Sequence, residues 1–124
     1  MFAIAFGAFM LCAETCLHLG EMIEAQSWTD FPIHDWAAGG FLIVAGVLAR
    51  KNPRQGLSYQ AAAWAFMASL LSGAFVGVWE EWVAGAPPEF GISPGTFVAI
   101  VAALLIGSLW GLIATLANAQ RPSE

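Results

Sequence analysis

Glu14-Thr15-Cys16-Leu17-His18-Leu19-Gly20-Glu21-Met22-Ile23-Glu24 is the stretch on which the reading of this chain turns. It continues, without a break, an apolar run that starts at Phe2. Together they are long enough to cross the ~30 Å hydrocarbon of a bilayer as one helix. At ~100° per residue, Glu14, His18 and Glu21 (i, i+4 and i+7) share a face. Glu14 then falls near the middle of the span, where an ionised side chain costs about 2.5–3.5 kcal/mol on insertion scales. A Glu–His–Glu ladder at that depth needs a proton, solvent, an imidazolium or a bound ion to compensate it.

The rest of the composition agrees with a membrane setting. Of the 124 residues, 59% are hydrophobic and only 10% charged, against roughly 25% charged in soluble domains. A chain this short makes one domain. The formal charge is −5, from nine acids and four bases, with no basic tract, which argues against nucleic acid or anionic-lipid docking. The amino terminus has the apolar stretch of a signal peptide but no Lys or Arg ahead of it, so it is read as a first span. Cys12 and Cys16 stand one helical turn apart, a poor geometry for a disulfide.

Four spans are expected, about 2–24, 31–49, 58–83 and 94–119, packed as one all-α transmembrane bundle. Ser27 to Asp30, Lys51 to Gly56 and Gly85 to Gly91 carry turn chemistry and make the connections. Asp30 and Ser93 are the expected N-caps of the second and fourth helices, the latter followed by Pro94 at the first helical position. Arg50, Lys51 and Arg54 cluster in the second connection, and Arg121 follows the fourth span. The positive-inside rule puts that side, and with it both termini, in the cytoplasm. Every acid except Glu124 then falls in the outer half or beyond it. Trp28, Trp36, Trp79 and Trp82 form an outer aromatic belt, and Tyr59 and Trp64 an inner one. The expected location is a bacterial inner membrane.

Small residues let helices approach in lipid. Ala65, Ser69, Gly73 and Gly77 form such a ridge on the third span, and Ala99, Ala103, Gly107, Gly111 and Thr115 on the fourth, so these two spans are expected to face each other there. Asp35, Gly39 and Gly46 share a stripe of the second. On the first, Ala8, Cys12, Cys16 and Gly20 lie opposite the Glu14 face. With the acidic face turned into the bundle, that ridge is free for a second copy or another membrane subunit.

The chemistry gathers at the outer end. The hairpin of the first two spans is expected to bring His34 and Asp35 level with Glu21 to Glu24, and Glu80 and Glu81 close the third span at similar depth. No Lys or Arg is available there. Carboxylates with imidazoles suit a divalent transition metal, so Glu14, His18, Glu21, His34, Asp35, Glu80 and Glu81 are the candidate ligands. No His-Glu-x-x-His or Glu-x-x-His pattern sharpens that set. The plainer alternative is a protonated Glu14 hydrogen-bonded to His18, with Glu24, Glu80 and Glu81 solvated. Haem between His18 and His34 is a minor option, because the two sit at different depths and both must reach one iron. The inner half offers only Ser69, Ser108, Thr115 and Asn118, so the ladder reads as an outward pocket and not as a through-channel. The expected function is therefore a metal- or cation-binding membrane protein. An accessory subunit of a larger complex and a proton-coupled carrier of small cations are the alternatives, and no reaction is specified.

Overall fold

The computed structural model describes residues 1–24, 33–87 and 91–120, and side chains are described except within 20–24. It contains four helices, α1 (Phe2–Glu24), α2 (Ile33–Lys51), α3 (Pro53–Val83) and α4 (Pro94–Ala119). Each is long and apolar enough to cross a membrane, and the chain is a multi-pass integral membrane protein. The extended interfaces join neighbours in sequence, α1 with α2, α2 with α3 and α3 with α4. Met1, the α2–α3 junction and the end of α4 meet at one end of the bundle. There Arg50 reaches the Met1 sulfur, and Met1, Leu57 and Asn118 border one hollow.

The helix ends follow local chemistry. Ser93 caps α4, its Oγ accepting from the Thr96 amide at 3.3 Å, with Pro94 opening the helix. The end of α3 is closed by Gly85 at φ +72°. The Gly85 amide donates to the Trp82 carbonyl and the Ala86 amide to that of Glu81, the paired bonds of a Schellman motif. The expected cap at Asp30 lies outside the described residues.

Two boundaries differ from the sequence expectation. α2 runs to Lys51, and α3 begins at Pro53, five residues before the expected start at Ser58. Only Asn52 separates them, outside the helical region (φ −142°, ψ 90°). A residue before proline is pushed out of the helical region, while proline itself suits a first helical position. Gly56, read as part of a turn, is instead a buried helical residue pressed against the backbone of Leu48 and Ala49. A side chain there would hold α2 and α3 apart at their junction.

Packing rests on glycines, though not on all those expected. Gly7 and Gly39 bring α1 and α2 into backbone contact, and a methyl on Gly7 would stand 2.6 Å from the Gly39 carbonyl oxygen. Gly46 continues this seam against Ile4. Gly111 of α4 receives the Trp64 indole, and Gly107 faces the Phe6 ring. The expected α3 ridge is turned the other way. Ala65, Ser69, Gly73 and Gly77 are exposed, and a Cβ on Gly73 or Gly77 would meet nothing within 4 Å. α3 packs through its opposite side, where Ala63, Trp64, Met67 and Leu71 are buried. The reason is volume: the large side chains fill the space between helices, and the small residues are left facing outward.

Trp64 is correspondingly not a belt residue. It is 1% exposed, stacked on Phe2 at 5.3 Å and met edge-on by Phe6 at 5.2 Å between ring centres. With Leu42, Met67 and the alanines of α2 and α3 it forms the core of the half nearer the basic end. Trp79 and Trp82 do remain half-exposed, in edge contact with one another, as belt residues should.

Candidate functional site

The other half of the bundle is not filled. A cavity of about 340 Å³ lies among all four helices. Its floor is Met10, Leu71 and Leu104, next to the Trp64 core. Its apolar wall includes Phe9 from α1 and Phe97 from α4. Three carboxylates also line it, Glu14 from α1, Asp35 from α2 and Glu81 from α3, and its described walls include no Lys, Arg or His.

The pairing of α1 with α2 sets this arrangement. Because Gly39 packs on Gly7 and Leu11, Asp35, one turn earlier on α2, stands at the level of Glu14. The expected level with Glu21 to Glu24 is therefore displaced inward along α1. Turn length cannot fix this register; the glycine contact does. Asp35 and Glu14 come from different helices and line the same cavity. The His18 Nε2 lies 3.4 Å from the Glu14 carboxylate along the same helix face. Glu14 is the more enclosed of this pair, with 19% of its side chain exposed against 29% for His18.

The remaining predicted ligands are dispersed. His34 and Glu80 are exposed and do not line the cavity. Glu21 lies in α1, but its side chain is outside the described region, as is that of Glu24. Among the described residues, no three His, Cys, Asp or Glu side chains are grouped so as to hold a metal ion. Cys12 and Cys16 are free thiols on the exposed side of α1.

The aromatic and aliphatic walls were missed by a sequence reading confined to ionisable residues. One signal was present: Phe97 lies one turn into α4 after the Ser93-Pro94 cap, which places it near the Glu81 end of α3. Toward the basic end, Ser108 donates to the Leu105 carbonyl and Thr115 to that of Gly111. These hydroxyls serve their own helix and do not line the cavity. No family model matches the chain, and no curated protein or solved structure is similar to it.

Proposed function

We propose that this is an inner-membrane protein that binds a cation in its outward-facing half, with Glu14 at the centre of the site and His18 beside it. One observation supports this above the others: three carboxylates from three different helices line one cavity whose described walls carry no basic side chain. Like charges gathered on one cavity repel unless a cation or protons offset them. Helical spans with their bases gathered at one end suit an inner membrane, with the Arg50–Lys51–Arg54 end cytoplasmic. The metal reading stays within this proposal, with the cavity carboxylates Glu14, Asp35 and Glu81 as its ligands and His18 beside Glu14.

The test is calorimetric titration of the purified chain in zwitterionic nanodiscs with Zn²⁺, Mn²⁺ and monovalent cations. At least one should bind saturably. Glu14→Gln should weaken that binding at least tenfold, and acidification should weaken it as protons compete for the carboxylates. Absence of saturable binding by any cation, in a protein with intact helicity, would sink the proposal. A second reading, association with another copy or another subunit through α1, draws on the exposure of Ala8, Cys12 and Cys16.

A further inference from the structure

We infer that the cation this cavity takes is an organic ammonium carrying apolar substituents, in preference to a bare metal ion. The inference rests on the cation-binding reading above and names its ligand class.

Size is the first consideration. The cavity measures about 340 Å³, in the range of pockets for small organic ligands (roughly 300–1,000 Å³) and some ten times the ~30 Å³ share of one water. A metal ion needs its ligand atoms converged within about 2.0–2.6 Å of one point. Among the described residues no such group of three exists. The carboxylates instead come from three separate helices, an arrangement that suits a charge carried on a body of several atoms.

The wall chemistry gives the second constraint. Between Glu14, Asp35 and Glu81 the surface is hydrocarbon, with the Phe9 and Phe97 side chains and the Leu70 and Leu104 branches. Such a surface gains nothing from a hydrated inorganic ion, whose water shell would be lost against it. It does gain from alkyl or aryl arms, and an aromatic face attracts an ammonium. Negative groups set in an apolar wall therefore complement a cation that is itself mostly apolar.

Access points the same way. α1 and α4 share no interface comparable with those between sequence neighbours, yet both line the cavity. Their seam is the weakly closed side of the bundle, and it faces the membrane. A lipophilic cation partitions into the outer leaflet and enters from there, whereas a bare metal ion does not.

Benzyltrimethylammonium and its uncharged carbon isostere neopentylbenzene separate these ideas. They are to be titrated into the full chain in phosphatidylcholine nanodiscs, with empty nanodiscs as the reference. The ammonium should bind saturably and at least tenfold more tightly than the isostere. Glu14→Gln and Asp35→Asn should each remove most of that preference, while Glu80→Gln, off the cavity, should leave it within about threefold. Ala74→Phe fills the cavity with all carboxylates kept, and it should block the ammonium. Equal binding of the two probes overturns the inference and marks a hydrocarbon pocket of the kind a lipid tail occupies. Binding of Zn²⁺ or Mn²⁺ that the ammonium neither matches nor displaces overturns it too, while leaving the cation reading intact. Binding of neither class removes both. Should the carboxylate variants fail to fold, the comparison of the two probes on the wild type decides the matter alone.

Discussion

Gly111 and Gly73 are chemically the same residue and do opposite things. Gly111 is the floor on which the Trp64 indole lies, so any side chain there collides with the largest fully buried side chain among the described residues. Gly73 has open space where a side chain would go. In lipid, helices associate by close packing and not by a hydrophobic drive, so lost contact is not compensated elsewhere. Gly111→Leu should therefore cost about 1–3 kcal/mol or more, as overpacking does. Gly73→Leu should leave stability nearly unchanged. Thermal unfolding in detergent, followed by circular dichroism, checks both; a Gly73→Leu variant as damaged as Gly111→Leu would mean that α3 is packed on its other side.

At the scale of the element, α1 is the helix with most to reconcile. One side carries Glu14 to the cavity and Gly7 to α2. The opposite side presents Ala8, Cys12 and Cys16, all exposed. Small residues on a lipid-facing side gain little from lipid and allow a close approach by another helix. On the partner reading this side meets a second copy, and the native thiols report it. Oxidation with copper phenanthroline in isolated membranes should yield a covalent dimer from the wild type and none from the Cys12→Ala, Cys16→Ala double variant. If the wild type stays monomeric under oxidation that couples an engineered control pair, this side faces lipid or a different subunit.

The whole molecule is asymmetric from end to end. The half nearer Arg50, Lys51 and Arg54 holds the aromatic core around Trp64, and the other half holds the cavity and its carboxylates. The positive-inside rule predicts which end faces the cytoplasm. In a background lacking Cys12 and Cys16, a cysteine at Ala86 should react with an impermeant maleimide added outside intact cells, and one at Gln55 should react only after the membrane is opened. The reverse pattern would place the cavity on the cytoplasmic side and refute the outward-facing part of the proposal, though not the cavity itself.

What the sequence by itself determined is what depends on local or one-dimensional properties. Hydropathy and length set the four spans, because each backbone crossing a bilayer must satisfy its own hydrogen bonds within a helix. The Ser93-Pro94 cap was legible because a cap is made within a few residues, and Glu14 stood out because an acid in an apolar run is costly wherever the helix packs. Even there, a short-range competition was misjudged at residues 52–58, where proline's fit to a helix start outweighed the turn character of Asn52 and Gly56. Tertiary structure alone decided which side of each helix faces inward. The small-residue ridge of α4 packs and that of α3 does not, and the choice is made by the shapes of partners far away in the chain, such as the Trp64 indole against Gly111. It likewise decided that Asp35 stands beside Glu14, since the Gly7–Gly39 contact sets the α1–α2 register. The cavity belongs to the same class: it is space that four separate helices leave between them, and no single stretch of sequence encodes it.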